Sequence, residues 1–254
     1  MVHKDNTPGW LIERRERVFL VLAGFFICSM TLLNVIGITR FVQLGPMALA
    51  VGVLPYPLTF LCTDLICELY GQRRANFMVS VGLVLNLFII GVMTLGNMLP
   101  AADTAPPWQA IMLANEVGLP NGQILKDSAE LFTLLYACTS GAMFASMMAY
   151  IAAQYCDVKL FHFWKKLTKG KYLWIRNNFS TMVSQLVDSI AVISVTFWAA
   201  IISGDLTTKA IFILLLSNYF FKVFCALADT PFFYFFTIKL RNYLQFDNPE
   251  NEYK

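Results

Sequence analysis

Six apolar runs, each about the length of a bilayer crossing, constrain this chain more than any other feature. They are Val18–Phe41, Leu44–Tyr70, Phe77–Leu99, Ala129–Gln154, Phe179–Ser203 and Ala210–Ile238. A spanning helix needs roughly 20 mostly apolar residues. The expected fold class is therefore all-α: a polytopic membrane protein with six transmembrane helices. The second run is the least regular, because Pro55 and Pro57 rule out a straight helix throughout. Composition agrees, with 57% hydrophobic and only 14% charged residues over 254 positions. A soluble domain carries about 25% charged residues. The basic residues sit in short flanks of apolar segments rather than on one face, so no direct nucleic-acid contact is expected.

Lys and Arg set the orientation. Lys4, Arg14, Arg15 and Arg17 precede the first run, and Arg73 and Arg74 follow the second. Lys159, Lys165, Lys166, Lys169, Lys171 and Arg176 follow the fourth, and Lys239, Arg241 and Lys254 follow the sixth. The alternate loops hold only Arg40, Lys126 and Lys209. Both termini are thus expected in the cytoplasm. Residues 1–17 read as a cytoplasmic N-terminal tail, 18–238 as a six-helix transport domain and 239–254 as a cytoplasmic C-terminal tail. The first run lacks a small-x-small cleavage site, so it is expected to be retained. The external loop Pro100–Ser128 is expected to hold a short interfacial helix near Trp108–Asn115.

Cys28, Cys62, Cys67, Cys138, Cys156 and Cys225 form no CxxC pair and lie mostly in apolar segments. They read as packing residues, with no metal and no cofactor. In the fourth run Ala137, Gly141, Ala145, Ala149 and Ala153 recur every four residues. Small residues at that spacing let helix backbones approach closely. The stripe reads as internal helix packing and leaves a homo-oligomer open.

Charged groups inside the runs carry the functional argument. Asp188 lies about ten residues into the fifth run, where a carboxylate costs roughly 2.5–3.5 kcal/mol to insert. Asn178, Thr181, Gln185 and Asp188 follow one another at steps of three, four and three, which puts them on one helix face. That face reads either as a substrate-lining stripe or as a hydrogen-bond network between helices. Lys222 and Asp229 share a face of the sixth run, seven residues apart. At 1.5 Å per residue, Lys222 lies about 18 Å from the external end and Asp188 about 15 Å from the internal one. Both fall near the midplane and are expected to pair, directly or through a ligand. Asp64 and Glu68 share a face toward the cytoplasmic end of the second run, where they line a path or pair with Arg73 or Arg74. Asn34 and Asn86 are further interior polar candidates. HExxH, GxSxG and Walker lysine motifs are absent, and His3 and His162 lie in a tail and a loop. An enzyme is not expected, nor is primary active transport by this chain alone.

The stretch Phe60–Ala75, with Asp64-x-x-x-Glu68-x-Tyr70-Gly71 followed by Arg73 and Arg74, resembles a signature of the queuosine precursor transporter family, also called the VUT family. Arg176-Asn177-Asn178, Ser180-Thr181 and Gln185-Leu-Val-Asp188-Ser189 resemble its second signature. Lys222 with Asp229-Thr230-Pro231 resembles a third. The resemblance implies a bacterial inner-membrane importer of a 7-deazaguanine base (queuine or its cyano and aminomethyl precursors) that supplies queuosine modification of tRNA. It implies a small-molecule substrate and the lipid bilayer as partners. It places Asp188, Gln185, Asn178, Thr181, Arg176, Asn177, Lys222, Asp64, Glu68 and Asp229 as substrate-binding candidates. Such a base presents N–H donors beside a carbonyl. A carboxylate can accept the donors side by side, while Asn, Gln or Lys donates to the carbonyl. Tyr56, Phe60 and Trp198 are candidates to stack on it. The alternative is a substrate-binding subunit of an energy-coupling-factor vitamin importer, needing a separate ATPase module. An intramembrane enzyme is a third reading.

Overall fold

The computed structural model describes residues 8–45, 47–100, 109–119, 122–167, 173–204 and 206–246, without the side chains of 44, 47, 72, 150, 151, 153–181, 184 and 199. Seven helices dominate the described residues: α1 (Gly9–Val35), α2 (Tyr56–Tyr70), α3 (Gln72–Met98), α4 (Leu131–Leu167), α5 (Leu173–Thr196), α6 (Trp198–Ile202) and α7 (Thr208–Leu244). Five stretches are long and apolar enough to cross a membrane: Gly9–Val35, Val51–Tyr70, Arg73–Met98, Leu131–Ala149 and Thr208–Leu244. On α3 and α7 large apolar side chains such as Phe77, Phe88, Leu95, Phe224 and Leu227 are more than half exposed. Apolar surface on that scale marks a face that meets lipid or protein rather than water.

The chain is not all helix, and the departures have local causes. The second apolar run does not begin a helix at Leu44. Phe41–Leu44 (β1) pairs antiparallel with Met47–Ala50 (β2), followed by a tight 3-10 turn at Val51–Val53. Gly45 makes the reversal with φ +58°, a conformation that favours glycine. α2 starts only at Tyr56, after Pro55, and Pro57 is tolerated in its first turn because N–H groups there lack intrahelical acceptors. The helix expected near Trp108–Asn115 is not formed by the described part of that segment. Ala110–Met112 (β3) pairs with Ser128–Glu130 (β6), and Val117–Gly118 (β4) with Ile124–Leu125 (β5). Gly122, at φ +85°, turns the ribbon, and its N–H donates to the Leu119 carbonyl at 2.9 Å. Trp108 itself lies outside the described residues. The fifth run breaks at Phe197 between α5 and α6, behind a Val-Ile-Ser-Val-Thr stretch of mostly β-branched residues with low helix propensity.

The described residues form two compact units. The first gathers residues of 1–31, 55–84 and 225–254. Its core holds Ala23 and Phe26 of α1, Cys62 and Ile66 of α2, and Ala75 and Met78 of α3. On each helix the two residues are three or four apart, so each contributes one face. Gly71, at φ +83°, ends α2, and its N–H donates to the Cys67 carbonyl at 3.0 Å.

The second unit gathers residues of 32–54 and 85–224. Here α4 packs along α5. Ala137, Ala145 and Ala149 are fully buried, as the small-residue stripe predicts, whereas Gly141 is only partly buried and a Cβ there would meet nothing within 4 Å; the Ala153 side chain lies outside the described residues. Gly52 donates its N–H to the Gly37 carbonyl at 3.0 Å, and a Cβ on Gly52 would stand 2.6 Å from the Gly37 Cα. That crossing pins the 3-10 turn against the end of α1 with no room for any side chain.

Candidate functional site

In the second unit, α5 and α7 bring their charged residues together. Lys222 is 1% exposed, and its Nζ donates to Asp188 Oδ2, whose side chain is 13% exposed. Buried polar atoms of these two helices without a hydrogen-bond partner among the described residues include Gln185 Oε1, Ser189 Oγ and Asn218 Oδ1. The helical repeat explains why they belong to the same faces. Ser189 follows Gln185 by four residues, and Lys222 follows Asn218 by four. A little further along, Thr196 Oγ1 is also unpartnered. Thr196 and Asn218 line a small cavity of about 70 Å³ with Phe41, Leu49 and Phe197. The Phe41 and Phe197 rings lie 6.2 Å apart there.

The arrangement is energetically costly for packing alone. A buried ion pair recovers little net stability once both charges have left water. Each buried polar atom left without a partner costs about 1–3 kcal/mol more. A carboxylate, two carboxamide oxygens and an ammonium together can receive a polar ligand rich in N–H donors. Among the described residues no group of three or more His, Cys, Asp or Glu side chains could hold a metal ion.

The sequence singled out Asp188, Gln185 and Lys222 but not Ser189, Asn218 or Thr196 as site residues. The missed ones carry a spacing signal, four residues from Gln185 or Lys222 for the first two. Arg176, Asn177, Asn178 and Thr181 lie on α5, but their side chains fall outside the described residues. Asn34 and Asn86 are buried at 1% and 2% exposure. Neither Asn34 polar atom has a partner, nor does Asn86 Nδ2. Trp198 is largely exposed, and Tyr56 and Phe60 make an edge contact with each other at 5.3 Å in the first unit.

The first unit holds the other three candidates. Asp229 is 9% exposed with Oδ2 unpartnered, and it lies within coulombic reach of Asp64. Glu68 accepts from Arg241 Nη2, not from Arg73 or Arg74. Arg74 donates instead to Glu16 at 2.8 Å. The Tyr70 hydroxyl donates to the Arg15 carbonyl at 2.8 Å, and its ring meets Phe19 and Phe246 edge-on. Arg14 donates to the Tyr243 carbonyl at 3.1 Å, and Arg15 to those of Leu244 and Gln245 at 3.0 and 2.8 Å. The last turn of α7 thus meets cations where its dipole is negative. The start of α1, the end of α2, the start of α3 and the end of α7 are fastened together at one end of this unit. Tyr70, Gly71 and Arg74 of the first signature build that fastening.

The family described as "Putative vitamin uptake transporter" matches residues 50–236. The chain belongs to this family. The matched stretch runs from the end of β2 into α7 and takes in Asp64, Glu68, Asp188, Lys222 and Asp229. Among curated proteins and solved structures, none matches. Membership in the vitamin uptake transporter family makes this a multi-pass membrane protein that handles a small-molecule substrate. It agrees with the queuosine precursor resemblance read from the motifs.

Proposed function

We propose that this vitamin uptake transporter imports queuosine precursors, as queuine or the cyano or aminomethyl 7-deazaguanine, across a bacterial inner membrane. One observation carries the reading: the buried Asp188–Lys222 pair with unpartnered oxygens of Gln185, Ser189 and Asn218 on the same two helices. The ring N–H and exocyclic amine of a deazaguanine supply donors to Asp188 and to the carboxamide oxygens. Lys222 donates to the ring carbonyl and balances the charge. Asn178, Thr181, Arg176 and Asn177 extend the α5 face that receives the base. Adenine places its donor and acceptor differently and would leave buried groups unpaired, so discrimination against it is expected to be strong.

In this reading α5, at 24 residues and about 36 Å, supplies the sixth span. The basic flanks favour both termini inside. The fastening of α1 to the end of α7 supports a common side for those two ends. Asp64 and Asp229 carry coupling protons or shape the exit, as ionisable groups in spans commonly do. Glu68 sets the exit's charge through Arg241. The chain works without its own ATPase.

The test uses cells that lack queuosine synthesis and precursor uptake but keep the enzymes that use each compound. The chain is expressed, one compound is supplied at a time, and queuosine is assayed in tRNA. Restoration by at least one compound, lost in Asp188→Asn at equal membrane abundance, is expected. No restoration by any compound, with the protein confirmed in the membrane, would refute the substrate.

A further inference from the structure

A second site lies in the first unit, at a distance in sequence from the charged pair. α1, α2 and α7 leave an open groove of about 620 Å³ between them. Its lining changes character along its length. Trp10, Glu13, Arg14 and Arg17 of α1 and Tyr243 of α7 rim one end. Below them come Val18, Val21 and Phe25 of α1, Leu58 and Leu61 of α2, and Phe236 of α7. Val21, Phe25, Leu58 and Phe236 are 56%, 54%, 38% and 38% exposed, so the described residues leave this apolar wall open.

We infer that this groove binds an anionic phospholipid, its phosphate at Arg14 and Arg17 and one acyl chain along Val21, Phe25 and Leu61. Three observations favour a lipid over a protein helix. First, the polarity gradient matches that of a lipid: cations and aromatic rings at one end, hydrocarbon below. Trp and Tyr with Lys or Arg at a helix end mark the headgroup level of a bilayer. Second, the lengths agree. From Arg14 to Phe25 the helix rises about 16 Å, close to the roughly 15 Å hydrocarbon depth of one leaflet. Third, the rim is net positive. Glu13 pairs with Arg17, which leaves the charge of Arg14 over. The Arg14 guanidinium is held 4.7 Å from the Trp10 ring and 4.5 Å from the Tyr243 ring, and the Tyr243 carbonyl takes one of its N–H groups. Its planar fork has further donors to offer a phosphate. Phosphatidylglycerol fits such a rim better than phosphatidylcholine, whose own cation would meet the arginines.

The test uses the full chain purified in mild detergent, with phosphatidylglycerol or phosphatidylcholine added. Retained lipid is read by native mass spectrometry and thermal stability by unfolding. Phosphatidylglycerol is expected to be retained severalfold more than phosphatidylcholine and to raise Tm by several degrees more. Val21→Trp fills the groove from a half-exposed position, so the fold should tolerate it, and it should abolish both effects. Arg17→Gln should narrow the preference between the two lipids while keeping the acyl-dependent retention. Equal response to both lipids, or a Val21→Trp protein that responds like the parent, would overturn the proposal. So would a lipid-free dimer that Val21→Trp breaks, because a second copy would then occupy the groove. Uptake of the base is not part of this readout, so the lipid site and the substrate reading fail independently.

Discussion

Lys222–Asp188 in the second unit and Arg241–Glu68 in the first both tie α7 to another helix, yet they differ in setting. The first pair is 1% and 13% exposed; the second is 23% and 40% exposed. Exposed pairs contribute about 0–1 kcal/mol, because water screens them and long side chains lose freedom in making them. They can be numerous at a helix end without much consequence, and around Arg241 other contacts share the load. The buried pair has unpartnered oxygens about it instead. One unit uses charge as a peripheral fastening among many. The other buries it on helix faces that also carry unpartnered oxygens among the described residues.

Removing one partner should separate the two most sharply. Lys222→Ala leaves a carboxylate buried and uncompensated, at about 3–5 kcal/mol. A large fall in Tm in detergent and complete loss of uptake are expected. The double variant Asp188→Leu/Lys222→Met should recover most of that stability, since apolar replacements of buried pairs are often neutral or better, while uptake stays lost. Recovered uptake would show that the pair is only structural.

Gly52→Ala should come next. The added methyl has backbone, not a flexible side chain, in its way, and overpacking of that kind costs about 1–3 kcal/mol. Lower Tm with substrate selectivity unchanged would locate the effect in the hairpin's seat against α1. In the first unit, Gly71→Ala must hold a positive-φ extended conformation at the end of α2 (φ +83°, ψ 159°) that is essentially glycine's alone, and should cost about 1–3 kcal/mol by the same unfolding measurement. An unchanged Tm would mean that α2 ends elsewhere in the working protein.

Asn218→Leu sharpens the contrast from another direction. It removes an unpartnered buried oxygen, so stability should stay level or rise, while transport of the base falls. Uptake kinetics at matched protein level decide it, and unimpaired transport would remove Asn218 from the site. Smallest of all, Glu68→Gln should shift stability by less than about 1 kcal/mol. A fall comparable to that of Lys222→Ala would erase the distinction between the two pairs.

Much of this was legible because helices obey a fixed repeat. The apolar runs, the alanine stripe of α4 and the meeting of Asp188 with Lys222 all follow from counting residues along helices. Asn218 was legible by the same count, four residues before Lys222, but one carboxamide beside Ser217 in an apolar run carries little weight alone. The β1–β2 hairpin was hidden because short apolar runs look alike as strand or helix. The ribbon between Ala110 and Glu130 depends on pairing across the Leu119–Gly122 turn, which no single strand of two or three residues announces. The partner of Glu68 lies 173 residues away at Arg241, while nearer arginines offered the simpler local explanation. Local spacing predicts which residues share a face, not which distant helix arrives to meet it.

The arginine contacts between α1 and the end of α7 bear on assembly. Arg14 reaches a carbonyl 229 residues further along the chain. Ribosomes add about 5–20 residues per second, so on the order of ten to fifty seconds separate the synthesis of the two partners. Through that interval the first helix sits in the bilayer with its cations facing lipid headgroups and water. The first helix can meet α2 and α3 early, but it gains its last partner only when the end of α7 has been made. A chain stalled before Tyr243 would present an unfinished edge, readable to quality-control proteases, at the place where the finished protein is tied shut.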